Sequence, residues 1–170
     1  DHVGSFRDFP EATVHLQWLE MQYAVGPYMR QAFLRHSFEL DEVCGMVGKL
    51  YHDKLVYHEG QASIAPGVDM HLVGGHTQGQ QVVRVHTRRG WVVLASDAAH
   101  LYENLEGPNP FPVVFNVADS LVAYDTIKSL ADSPQHIVPG HDPLVLARYP
   151  APRPELAGIV ACLHADPTND

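Results

Sequence analysis

The chain is short of cysteine, of positive charge and of long apolar runs. Its 170 residues include two cysteines, Cys44 and Cys162. They lie far apart and match no metal or redox spacing. A disulfide framework is therefore excluded, and two reduced thiols in a cytoplasmic protein are expected. Lys and Arg number 11 against 20 Asp and Glu, a formal net charge of −9. Nucleic acid and anionic membranes need clustered cations, so neither is expected as a partner. No apolar run approaches the ~18 residues of a transmembrane helix. The opening DHVGSFRDFP is nothing like a signal peptide. What remains is 45% apolar residues, enough for one core at this length, and a large share of histidine, 12 of 170.

The patterning mixes helix and strand. A short strand over 13–17 leads into residues 18–25 and 28–35, both apolar at helical spacing, with Gly26-Pro27 between them. Asp41 is the expected cap of a third helix over 42–50, weakened by Gly45 and Gly48. Strands are expected over 54–58, 68–73, 81–87 and 91–95. The last, WVVLA, is uniformly apolar, as in a strand covered on both faces. Asn116 is a candidate cap for a helix presenting Val117, Leu121, Tyr124, Ile127 and Ala131 on one face. A short strand over 136–138 follows. Residues 150–170, rich in Pro at their start, read as a surface tail.

The chemistry gathers where apolar strands end beside glycines. His76 follows Leu72-Val73-Gly74-Gly75, Asp97 follows Val92-Val93-Leu94-Ala95-Ser96, and His141 follows Ile137-Val138-Pro139-Gly140. Strand ends opening into such loops present side chains without steric obstruction. Imidazoles with a carboxylate suit Zn, Fe, Mn or Co.

Four motifs occur in a telling order: Asp1-His2-Val3-Gly4, Gly75-His76-Thr77-Gln78-Gly79, Ser96-Asp97-Ala98-Ala99 and Pro139-Gly140-His141-Asp142. Their order and separations (74 residues from His2 to His76, 21 to Asp97, 44 to His141) resemble the metallo-β-lactamase superfamily, in particular its N-acyl homoserine lactonase branch. The run His100-Leu101-Tyr102-Glu103-Asn104 adds to that likeness. The resemblance implies an α/β fold, the αββα sandwich, with residues 1–149 as the C-terminal portion of the domain and 150–170 as its tail. It implies two divalent metal ions, zinc first and Fe, Mn or Co as alternatives. Asp1, His2 and His141 would hold one metal, His76 the other, and Asp97 would bridge them.

Asp1 and His2 match the last two members of the family's His-x-His-x-Asp-His motif, so the chain is expected to be a fragment. Its partners would then include the N-terminal part of the domain, besides a small-molecule lactone or ester and a second copy in a homodimer. Were residues 1–170 the entire molecule, a crippled site and exposed apolar strand edges would be expected. Gln78 and Gln80 replace the family's Pro and His at positions that ligate nothing. Where lactonases carry a substrate-contacting tyrosine, this chain has His100, with Tyr102 two residues on. Either is expected to donate a hydrogen bond to the developing oxyanion. The implied activity is opening of a lactone ring by a metal-bridging hydroxide, with Asp97 passing a proton to the leaving alkoxide. A glyoxalase II-like thioesterase and a non-catalytic fragment lacking the metal pair are the alternatives. An acyl chain would lie on apolar surface from residues 105–115 and from Phe6, Trp18, Met21, Tyr28 and Phe33. His15, His36, His52, His58, His71, His86, His136 and His164 follow no ligand spacing, although His71 or His86 within strands could orient a ligand.

Overall fold

The computed structural model describes residues 2–107 and 109–168. Two sheets organise it. The smaller pairs β1 (Val14–Gln17) in parallel with β2 (Leu55–His58). Between those strands run α1 (Trp18–Ala24), α2 (Ala32–Arg35) and α3 (Leu40–Tyr51). The larger sheet has five strands in the order β3 (Ala62–Ala65), β4 (Val68–Leu72), β5 (Gln81–Thr87), β6 (Gly90–Ser96) and β7 (Ile137–Pro139). Pairing is antiparallel from β3 to β6, and β7 joins β6 in parallel. That parallel step needs a long crossover, supplied by α4 (Tyr102–Glu106) and α5 (Val117–Leu130). The short helix α6 (Leu144–Arg148) follows β7. Among the described residues no helix is long and apolar enough to cross a membrane.

Strand β6 is the spine. Val93 and Ala95 point to one face, where they meet Val82, Ile137 and Tyr124 and Ile127 of α5. Val92 points to the other and meets Val138 and Tyr149, with Leu94, Ala161 and Leu163 beside them. Its uniformly apolar sequence is thus matched by cover on both faces. The second cover comes from the segment after Tyr149. Arg89 Nη1 holds that segment by donating to the carbonyls of Leu163 (3.1 Å) and Ala165 (3.0 Å).

Three expectations need correction. Residues 28–35 do not form one helix: a 3-10 turn over Pro27–Arg30 is broken at Gln31, whose backbone is extended, before α2 begins. Asp41 does not cap α3. The helix starts one residue before it, with Glu39 at the cap position, so Asp41 and Glu42 lie in the first turn, where carboxylates favour the helix dipole. In α5, Asn116 caps as expected, accepting from Ala118 N and Asp119 N. The buried face, however, is Ser120, Ala123, Tyr124 and Ile127, while Val117 and Leu121 are exposed. Small residues at 120 and 123 let the helix approach the sheet more closely than the larger apolar ones would.

Candidate metal centre

Three loops at the strand ends and the N-terminal turn that carries His2 build the site. The first follows β4: Gly75 has φ +93°, and a Cβ there would lie 2.5 Å from Ser120 Oγ, so only glycine lets this loop pass the start of α5. The carbonyls of Gly75 and His76 accept from Phe115 N at 2.9 and 3.0 Å, which locks the loop to the α5 entrance. The second leaves β6 through Ser96, itself in the left-handed region (φ +47°), which swings Asp97 out of the strand direction. The third leaves β7 at Gly140, where a Cβ would stand 2.7 Å from the Ser96 backbone. Gly140 N and His141 N donate to the carbonyls of Ala99 (3.0 Å) and His100 (2.9 Å), joining the second and third loops.

Asp97 sits at the convergence, its side chain 11% exposed. His141 Nε2 donates to its Oδ1 at 2.8 Å, and His100 Nε2 lies 3.2 Å from the same oxygen. Its Oδ2 accepts from Ser96 Oγ at 2.8 Å and faces His2 Nε2 at 3.4 Å. The imidazoles pack on one another: His2 stacks on His76 (5.3 Å between centroids), His76 meets His100 edge-on (5.1 Å), and His100 stacks on His141 (5.0 Å). Phe111 closes the far face of His100 at 4.0 Å. His76 Nδ1 is committed to the Val113 carbonyl at 2.8 Å, which fixes its tautomer and leaves Nε2 for another role. Burial opposes ionisation of Asp97. Bonds from His100, Ser96 and His141 and the nearby His2 outweigh it and hold the carboxyl well below the usual range. Burial lowers His76, so its imidazole stays neutral with a lone pair to offer.

The donors form two triads, His2, His76 and Asp97, and Asp97, His100 and His141, each with its ligand atoms within 4.8 Å of one another. This set fits divalent zinc, iron, manganese or cobalt: nitrogen donors dominate, and one carboxylate is common to both groups. Four imidazoles crowded around one carboxylate cannot all protonate without mutual repulsion, and a shared cation removes that conflict.

Of the residues singled out in the sequence, the structure gathers His2, His76, Asp97, His100 and His141. Asp1 lies outside the described residues. Tyr102 is a correction: its ring is buried beneath Arg148, whose guanidinium lies 4.1 Å from the ring centre, and it lines a different cavity. Only its backbone serves the site, through Tyr102 N donating to Asp142 Oδ2 at 3.0 Å. Among the described residues neither strand histidine is bonded to a member of the cluster: His71 Nε2 is buried without a hydrogen-bond partner, and His86 packs edge-on against Trp91. The apolar wall also differs from expectation. Met21 lines a cavity of about 410 Å³ that reaches His2 and His76, whereas Phe33 is exposed. Tyr28 instead joins Tyr23, Phe38 and Phe115 in an aromatic cluster.

Sequence reasoning missed Ser96 and Glu20, of which only Ser96, adjacent to Asp97, carried a signal; Phe111 and Val113 were expected only as part of the apolar stretch 105–115, not as partners of His100 and His76. Glu20 enters the same cavity, and its carboxylate accepts from Gly79 N at 2.8 Å. Burial pushes that carboxyl up, against the pull of Thr77, Gly79 and His2.

No family model matches the chain. It is 31% identical over 164 residues to a protein of Mycobacterium tuberculosis named a probable metallo-hydrolase, covering 86% of this chain and 49% of that one. It is 34% identical over 133 residues to an N-acyl homoserine lactonase of Bacillus cereus, covering 78% and 46%. A solved N-acyl homoserine lactone hydrolase, with N-hexanoyl-L-homoserine at its catalytic metal centre, superposes with a TM-score of 0.65 at 25% identity, covering 84% of this chain and 52% of that one. The chain spans about half the length of the curated relatives it matches. By sequence and by fold, it is a homologue of the metallo-hydrolases and N-acyl homoserine lactonases of the metallo-β-lactamase superfamily.

Proposed function

We propose that the protein is a metal-dependent hydrolase that opens the ring of an N-acyl homoserine lactone-like substrate, with a dinuclear site centred on Asp97. The observation that carries this reading is one carboxylate shared by two donor triads. The names of the curated relatives, and the product held by the solved neighbour, support the substrate class. When bound, divalent ions there supply Lewis acidity, lowering the pKa of water towards ~7 and polarising a carbonyl.

The protein's own groups set the geometry. Asp97 spans the two triads, Oδ1 towards His100 and His141 and Oδ2 towards His2. Ser96 Oγ holds that carboxylate in one orientation. His100, sandwiched between Phe111 and His141, turns Nε2 to Asp97, and its second ring nitrogen is the one left to donate to a developing oxyanion, a role worth ~2.7–4 kcal/mol in other hydrolases. Asp97 takes the part of proton carrier to the leaving alkoxide. The cavity beside His2 and His76, walled by Met21, Ala24, Val43 and Met46, accepts an acyl chain.

The test compares wild-type protein with Asp97→Ala on acyl homoserine lactones, other lactones and glutathione thioesters, with elemental analysis of both proteins. The expected result is turnover on acyl homoserine lactones and about two metals per wild-type chain, both lost in the variant. Wild-type turnover and metal content in Asp97→Ala would refute the reading, and preference for a thioester would replace the substrate class.

A further inference from the structure

A second cavity, of about 570 Å³, lies away from the Asp97 cluster, between α4, α5, β7 and the end of α6. Its floor is apolar and buried: Tyr102, Leu105, Ile137 and Tyr149. Two cations line it, Arg148 and Lys128. Arg148 is half-buried over the Tyr102 ring, and neither cation meets a carboxylate among the described residues. Glu106 is exposed on the rim and pairs with neither. In a chain with a net charge of −9, these two cations give one apolar cavity a positive rim. A guanidinium held over an aromatic ring loses little freedom when it meets a carboxylate, and it offers a two-pronged donor to one.

We propose that this cavity is a binding site for a small amphipathic carboxylate. Its head group would meet Arg148 and Lys128, and its hydrocarbon would lie on Leu105, Ile137 and Tyr149. The assignment is independent of the metal centre, because no ligand of the Asp97 cluster lines the cavity.

The probe is octanoate, followed by methyl NMR of Leu105 and Ile137, with N-hexanoyl-homoserine as a second arm and octan-1-ol as the uncharged control. The expected result is saturable shifts at Leu105 and Ile137 with a Kd of order 1 mM. Arg148→Gln and Lys128→Gln should each weaken binding about tenfold, and the alcohol should bind at least about tenfold more weakly. Tighter binding of octanoate names a simple fatty acid as the ligand. Tighter binding of N-hexanoyl-homoserine names an acylated amino acid, the class of product that the proposed hydrolysis releases. Arg148→Gln removes the contact with Tyr102 and is open to a folding effect. Lys128→Gln alters an exposed side chain with no bond and keeps the test decisive. The proposal is overturned by absence of shifts at Leu105 and Ile137, by shifts confined to Met21 and Met46 of the other cavity, by Lys128→Gln binding as wild type does, or by the alcohol binding equally well.

Discussion

Asp69 and Asp97 are both nearly buried carboxylates on the larger sheet and its loops, with side chains 13% and 11% exposed. Both are held below the usual range, but by different partners. For Asp69 the main cause is Arg84, whose Nε and Nη2 donate to Oδ2 at 3.1 and 3.0 Å, with burial opposing. Arg84 in turn lies over the Trp91 ring at 4.2 Å. Around Asp97 burial opposes ionisation most strongly, and imidazoles and a serine overcome it. A guanidinium does not release its proton, so Asp69 is neutralised permanently and its role ends at structure. A neutral imidazole, by contrast, can turn a lone pair to a metal. The chemistry of the neighbours separates a carboxylate paired with a fixed cation from one ringed by candidate metal ligands, although depth and ionisation are alike.

Removing each carboxylate in turn tells the two roles apart. Asp97→Ala should cut hydrolysis more than about 100-fold and abolish metal retention, while the melting midpoint of the metal-free protein falls less than in Asp69→Asn, since a neutral imidazole, unlike a guanidinium, needs no carboxylate partner. Asp69→Asn should do the reverse, lowering the midpoint by leaving Arg84 without its charge partner while metal content stays at the wild-type level. Calorimetry and elemental analysis on the two variants would show whether the roles separate. A variant that lost both properties would end the distinction.

Acid should act on the two carboxylates differently. Metal binding must displace protons from the histidines, so each displaced proton costs about tenfold in affinity per pH unit below the imidazole pKa. Dialysis between pH 7 and pH 5 should strip the metal while the Asp69–Arg84 pair stays intact. That pair contributes stability above the ordinary carboxylate pKa of ~3.9, lost only as pH falls towards the depressed value. Circular dichroism showing loss of fold together with the metal would contradict this order.

The smallest effect is at the alkaline end. Tyr23, 2% exposed, is pushed up to about 12, by burial first and then by Glu20 and Tyr28. A raised folded pKa contributes stability that is whole below the unfolded value of ~10 and fades as pH rises towards 12. Tyr23→Phe should therefore flatten the fall in melting midpoint between pH 10 and about 12, a difference readable by thermal scans at matched ionic strength.

Much of the larger sheet was legible because period-two alternation and the WVVLA run survive into β5 and β6 with their ends shifted by no more than one residue. The α5 face was misread because hydrophobicity favoured Val117 and Leu121, whereas packing distance favoured Ser120 and Ala123. The strand β3 passed unnoticed: ASIA carries too little apolar contrast to stand out, and its pairing with β4 supplies what its own sequence does not. At the centre, glycine-flanked strand ends pointed to His76, Asp97 and His141. No local signal distinguished His100 from Tyr102, since both follow Asp97 on one loop and only the direction of each side chain separates them.

By itself the amino-acid order determined which groups were on offer: histidines and one aspartate at the mouths of apolar strands. It determined this because residue type and strand periodicity are local properties. The tertiary structure alone decided that His100 joins the cluster while Tyr102 turns beneath Arg148, and that Asp97 rather than Asp69 is ringed by groups able to exchange a proton for a metal. Those outcomes depend on side chains up to about 140 residues apart meeting within a few ångströms, a matter of packing and loop closure that no stretch of sequence expresses on its own.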